Sequence, residues 1–95
     1  GCAPREGAAL GAAIAAEPTL RLRGLMAIPA PWPDPTRRQQ ALNAMSDLFE
    51  ALCARHGQVD TLSMGMSADY PQAIAAGATL VRIGTALFGA RARPA

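Results

Sequence analysis

The chain has 95 residues, 51% of them apolar and only four aromatic, which amounts to at most one ordinary domain with a modest, alanine-rich core and no broad aromatic platform. Its net charge of +2 rests on nine basic residues, all arginine, and they are scattered rather than gathered on one face among aromatics, which points away from nucleic-acid binding. No run reaches the ~18 apolar residues of a membrane span and the N-terminus lacks a signal-peptide pattern, so the sequence predicts a cytoplasmic protein with no membrane partner. Cys2 and Cys53 stand apart, without a CxxC or Cys/His cluster, and read as reduced thiols rather than metal ligands.

Along the chain, Glu6 to Glu17 places Leu10, Ala13, Ile14 and Glu17 at helical spacing before Pro18 stops it. Leu20 to Ile28 alternates and then turns wholly apolar, as in a strand entering a sheet covered on both faces. Four prolines between Pro29 and Pro35 predict an extended loop. Thr36 is the expected N-cap of a long helix, Arg37 to His56, whose Leu42, Met45, Leu48, Phe49, Leu52 and Cys53 form one apolar face, with Gly57 at its left-handed C-terminal position. A second strand is expected from Gln58 or Val59 to Met64. A helix from about Ala68 to Ala76 follows, with Ser67 or Asp69 as cap, Pro71 in its first turn and Gly77 as stop. The third strand, Thr79 to Ile83, leads through Gly84 into a short helix from Thr85 to about Arg91.

Strands alternating with helices predict an α/β fold built on a parallel sheet. Chemistry then gathers at the carboxyl ends of the strands, here Met26 to Pro29, Met64 to Ser67 and Arg82 to Thr85. Small-residue turns at strand ends let main-chain N–H groups face an anion, and a helix that starts there adds the positive end of its dipole. Ser67, Gly84 and Thr85 are therefore candidate phosphate ligands, although ordinary turns and caps explain the same residues equally well on motif grounds.

Leu22-Arg-Gly-Leu-Met-Ala-Ile28, Leu62-Ser-Met-Gly-Met-Ser-Ala-Asp69, Ala73-Ile-Ala-Ala-Gly77 and Val81-Arg-Ile-Gly-Thr-Ala-Leu-Phe-Gly-Ala-Arg91 together resemble the pyridoxal phosphate homeostasis proteins, the YggS/PROSC family, over roughly Leu20 to Arg91. The resemblance implies the C-terminal three βα units of a (β/α)8 TIM barrel of the alanine-racemase type, with residues 1–95 forming part of a single domain and the barrel incomplete in this chain. It also implies binding, buffering and delivery of pyridoxal 5'-phosphate without established catalytic turnover, acceptor enzymes as partners, and a monomeric full-length parent. By the same resemblance, Ser67, Gly84 and Thr85 hold the cofactor phosphate, Arg82 faces the pyridine nitrogen, and Met26, Gly65 and Met66 border the cofactor. A guanidinium beside that nitrogen gives it no proton and keeps the ring a weaker electron sink. An ion pair is the structural alternative for Arg82.

The family holds its cofactor through a Schiff base to a lysine on the first barrel strand, and this sequence has no lysine. The expectation is a fragment that lacks the covalent attachment point and leaves open strand edges and apolar helix faces exposed. The coding frame upstream of Gly1 is then expected to supply about five more βα units. Two other classes stay open: a racemase or decarboxylase on the same barrel, and a phosphate-binding half-barrel unrelated to this cofactor. Among single residues, His56 reads as a helix-terminal histidine, and Trp32 reads equally well as a lid over a ring or a partner surface and as a loop aromatic covering the barrel mouth. Met26, Met64 and Met66 read as pocket or core methionines, and Arg21, Arg23, Arg37 and Arg38 as solvated charges.

Overall fold

The structure, a computed structural model, describes residues 1–30 and 32–90. A single 3-10 turn, Pro4–Glu6, opens into helix α1, Gly7–Ala15. Strand β1 is Gly24–Met26, helix α2 is Pro35–Arg55, strand β2 is Thr61–Ser63, and helices α3 and α4 are Tyr70–Ala75 and Thr85–Phe88. The two strands run parallel, with Leu25 opposite Leu62 and Met26 opposite Ser63.

Side-chain alternation explains the layers. Leu62 and Met64 point to one side of the sheet and are fully buried with Leu42 of α2 and Ala73 of α3. Leu25, Ala27, Met45 and Phe49 pack around them. A second cluster, Leu22, Leu52 and Val59, lies at the amino end of the strands against Ile14 and Cys53, and Leu25 and Phe49 border both clusters. The other side of the sheet has no such cover: Met26 is 63% exposed and Leu80 46% exposed. Helix α1 reaches α2 through its glycines, since a Cβ at Gly7 would meet Leu48 and one at Gly11 would lie 2.9 Å from Leu52 Cδ1.

The strands are shorter than the sequence predicts. The expected strand from Leu20 pairs only from the Arg23 carbonyl onward, which accepts the N–H groups of both Asp60 and Thr61 at 2.9 and 3.0 Å, because the chain before Asp60 is still in the turn that the Val59 N–H closes on His56. The expected third strand, Thr79 to Ile83, reduces to a parallel bridge between Leu80 and Ser63. Two local events limit it. The Thr79 hydroxyl accepts the Leu62 N–H at 2.8 Å, replacing a main-chain acceptor. Further on, the Arg82 N–H donates to the Gly65 carbonyl at 2.8 Å, one residue beyond the regular parallel acceptor, because Gly65 at φ +103° turns the chain out of the extended form.

The caps also differ. Asp34, not Thr36, caps α2: its Oδ1 accepts the Thr36 N–H at 2.9 Å, and Pro35 occupies the first helical position. At the other end His56 is extended, at φ −135°, and Gly57 does not take the left-handed conformation. Gly77 does, at φ +106°, and stops α3 as expected. Helix α3 starts at Tyr70 rather than near Ala68, since Asp69 is non-helical at φ −139°, ψ 10°. Helix α4 ends at Phe88, short of the expected end near Arg91, because Gly89 leaves the helical conformation at φ +84°, ψ 170°.

At the amino end of the sheet Arg23 grips Asp60 with Nε at 3.0 Å and Nη2 at 2.8 Å, while Thr61 Oγ1 donates to the same carboxylate. Arg23 is thus not a free solvated charge. The Arg23 hydrogen bonds, followed by that from Thr61, hold the Asp60 carboxyl below the ordinary carboxylate value. A depressed carboxyl pKa favours the folded state above the ordinary aspartate value and loses that contribution as pH falls through the lowered one. Asp60→Asn is therefore expected to flatten the acid side of the stability profile, read as a smaller drop in Tm between pH 7 and pH 3 than in the parent. Both partners are solvent-exposed, so the effect is small.

Candidate functional site

The carboxyl ends of the extended runs converge through main-chain and arginine contacts. The first is Arg82, whose N–H is fixed on Gly65 and whose Nη2 donates to the Ala27 carbonyl at 2.9 Å. One residue, through its main-chain N–H and its guanidinium, thereby ties the Thr79–Ile83 run, the turn after β2 and the end of β1 together. Its Nε is buried and has no hydrogen-bond partner among the described residues. A buried guanidinium N–H without an acceptor is costly, and a ligand atom in that place would relieve the cost. The alternative expectation for Arg82, an ion pair, is not what the described residues form.

The second contact joins the two turns. Ser67 Oγ accepts the Ala86 N–H at 2.9 Å, at the start of α4, whose N-cap is Gly84. A hydroxyl that accepts here still has its own proton to donate. Among the described residues, the N–H groups of Gly84 and Thr85 take no main-chain acceptor. Ser67, Gly84 and Thr85 therefore present a hydroxyl and N–H donors around one short, exposed stretch.

Gly65 stands apart from the other candidates. It is buried, and a Cβ there would lie 2.7 Å from Ala73 Cβ and 3.1 Å from Val81 Cγ1. It shapes the turn that carries Met66 and Ser67 and offers no surface of its own. Met66 follows it, 43% exposed, with its N–H donating to Asp69 Oδ1 at 2.8 Å. Asp69, one of the two expected caps, is the N-cap residue of α3, but its carboxylate turns back onto this turn and makes no bond to a helix N–H. Met26 is exposed on the uncovered side of the sheet, whereas Met64 is fully buried against α2 and is a core residue, because it shares the parity of Leu62. Trp32 is covered by Arg37, whose guanidinium carbon sits 4.1 Å from the ring centroid, so Arg37 stacks rather than standing free in solvent.

Two participants were not readable as site residues: the Ala27 carbonyl that receives Arg82, and the Asp69 carboxylate that closes the Met66 turn. Asp three residues after the turn's first N–H is a recognisable turn signal. A main-chain acceptor leaves no trace in residue type.

No group of His, Cys, Asp and Glu among the described residues is arranged to hold a metal, and none of their helices is long and apolar enough to cross a membrane.

The parallel strands, the helices on one face and the donors at the strand ends agree with what the chain matches. Residues 1–92 match the alanine racemase N-terminal domain, and the chain belongs to that family. Its curated relatives carry a more particular name. The pyridoxal phosphate homeostasis protein of Escherichia coli K12 is 56% identical over 82 residues, covering 86% of this chain and 35% of the relative. The protein of that name from Pasteurella multocida is 52% identical over 93 residues, covering 96% of this chain and 40% of the relative. The chain thus spans between a third and two fifths of the length of these relatives. Among solved structures, PipY of Synechococcus elongatus with pyridoxal phosphate bound is 32% identical with a TM-score of 0.73, over 90% of this chain and 40% of PipY. An unknown protein from Bifidobacterium adolescentis reaches a TM-score of 0.88 at 33% identity, over 93% of this chain and 36% of its own length.

Proposed function

We propose that this chain carries the phosphate-binding end of a pyridoxal 5'-phosphate site in a protein of cofactor homeostasis, as the last three βα units of a (β/α)8 barrel. The observation that carries the reading is the joining of Ser67 to the start of α4 beside the donors of Gly84 and Thr85. The unpartnered Nε of Arg82 supports it, since that donor suits an acceptor on a ring. The residues present fit the phosphate and the ring; the chain has no lysine for the aldehyde. When bound, pyridoxal phosphate supplies a reactive aldehyde and an electron-withdrawing ring.

The chain's own residues bind and orient. Ser67 and the N–H groups around Gly84 and Thr85 neutralise the phosphate by charge-assisted hydrogen bonds. Arg82 donates toward the ring nitrogen without giving it a proton, which suits a site that stores and hands over cofactor to acceptor enzymes rather than one that turns over a substrate. Met26 and Met66 border the ring through soft apolar contact, and Gly65 sets the turn. The complete parent is a cytoplasmic monomer on this reading.

The test is a calorimetric titration with pyridoxal phosphate and, separately, with pyridoxal, which lacks the phosphate. Removing a hydrogen bond to a charged group costs about 1.5–3 kcal/mol, so Ser67→Ala is expected to weaken pyridoxal phosphate about 10- to 100-fold. Pyridoxal affinity should not change. Equal binding of the two compounds by the parent chain would remove the phosphate-end reading.

A further inference from the structure

Helices α2 and α3 leave the carboxyl ends of β1 and β2 and run back side by side in the same direction. Two facts fix their register. Leu42 and Ala73 are fully buried in one cluster, and one turn further along a Cβ at Gly77 would lie 3.5 Å from Ser46 Oγ. The repeat of a helix face then sets Arg38 across from Asp69, one turn before Leu42 and Ala73. Arg38 is not the solvated charge expected from the sequence: it is half-buried, and its Nε is buried without a hydrogen-bond partner among the described residues. Asp69 is half-buried as well. Its Oδ1 takes the Met66 N–H at 2.8 Å while its own N–H donates to the Met66 carbonyl at 3.2 Å, so a carboxylate is fixed two residues from Ser67. Left uncompensated, that negative charge would oppose the binding of an anion to the Ser67 hydroxyl.

We propose that Arg38 is a positioning residue of the phosphate-binding end, acting through Asp69. Its guanidinium offsets the charge of that carboxylate and steadies it on the Met66 N–H, so that Ser67 meets a phosphate without a repelling neighbour. The proposal rests on the phosphate-end reading given above. Among the described residues the two side chains form no ion pair at contact distance, and none is needed. Packed helices lie about 8–10 Å apart, a long arginine side chain crosses much of that gap, and half-burial limits screening by water and salt. Direct contact of Arg38 with the phosphate is the weaker role, because α2 packs chiefly on β1, α1 and α3, whereas the Gly84 and Thr85 donors belong to the start of α4.

The experiment compares the parent chain with Arg38→Gln, Arg38→Lys and Arg37→Gln, the last removing a neighbouring charge that is stacked on Trp32. Without ligand, amide hydrogen exchange at Met66 is expected to quicken about threefold in Arg38→Gln and to stay near the parent rate in the other two. Calorimetric titration with pyridoxal phosphate and with pyridoxal then gives the preference for the phosphate. Arg38→Gln should lower that preference about fivefold, the upper end for a partly screened charge pair. Arg38→Lys should keep most of it, and Arg37→Gln should leave it unchanged. Asp69→Asn keeps an oxygen for the Met66 N–H but no charge, so adding Arg38→Gln to that variant should change the preference no further. Unchanged Met66 exchange in Arg38→Gln overturns the proposal whether or not a ligand binds. An equal loss of preference in the Asp69→Asn background makes Arg38 a direct phosphate contact and overturns it too. Equal binding of the two compounds by the parent is a different failure: it removes the phosphate-end reading, and with it the role toward phosphate, while Met66 exchange still reports the link between Arg38 and Asp69.

Discussion

Gly24→Ala is expected to abolish the pairing of β1 with β2. A Cβ at position 24 would overlap the carbonyl oxygen of Thr61 and lie 2.6 Å from its carbonyl carbon, so the obstacle is main chain and cannot rotate away. Relief requires the strands to part, which breaks the Leu25–Leu62 register and opens the core that Leu62 shares with Leu42, Met64 and Ala73. Exposing even two large apolar side chains costs about 3–6 kcal/mol at roughly 1.5–3 kcal/mol each, comparable to the whole stability of a small domain. The variant should therefore show no cooperative thermal transition by circular dichroism while keeping some helical signal from α2. A cooperative transition within a few degrees of the parent would show that the strands approach each other less closely than described.

Gly65→Ala is expected to damage stability and ligand binding together. Position 65 sits at φ +103°, a region where an alanine is strained by about 1–3 kcal/mol. The new methyl would also press on Ala73 Cβ at 2.7 Å and Tyr70 Cα at 3.3 Å, an overpacking worth about 1–3 kcal/mol more. Because the Gly65 carbonyl receives the Arg82 N–H, and because the turn it begins carries Ser67, relaxation of this strain moves both groups. A loss of 2 kcal/mol or more by urea denaturation is anticipated, with pyridoxal phosphate affinity falling more than pyridoxal affinity. Lost stability with the preference between the two compounds unchanged would mean that Gly65 serves only the fold.

Much of this was readable because the chemistry recurs in residue type. The long helix α2 announces itself through Leu42, Met45, Phe49 and Leu52 at threes and fours, and Gly77 marks a true left-handed stop. Gly57 carries the same signal and means something else: His56 is already extended, and Gly57 sits inside a turn closed by the Val59 N–H on the His56 carbonyl at 3.1 Å. The Asp-Pro pair at 34 and 35 held the cap in plain view, yet Thr36 competes for the role with an equally suitable side chain. Strand lengths were overread because apolar patterning reports burial and not pairing; Leu22 and Val59 are buried without lying in a strand. At the candidate site Ser67, Gly84 and Thr85 were legible as turn residues, and the barrel assignment came from the long resemblance rather than from periodicity. Arg82 was legible as a functional cation, but its tie to Ala27 depends on a carbonyl 55 residues away, which no spacing rule reaches.

Loop-closure entropy ranks the ties of this sheet by the length of chain each one encloses. Helix α2 is made of contacts three and four residues apart and forms without waiting for distant chain. The clamp of Arg23 on Asp60 closes a loop of 37 residues at one end of the sheet, and the bond from Arg82 to Ala27 closes one of 55 at the other. The donors proposed for the phosphate are held by shorter closures, 19 residues from Ser67 to Ala86 and 17 from Leu62 to Thr79, so by the same argument they are brought together before β1 is fastened to them.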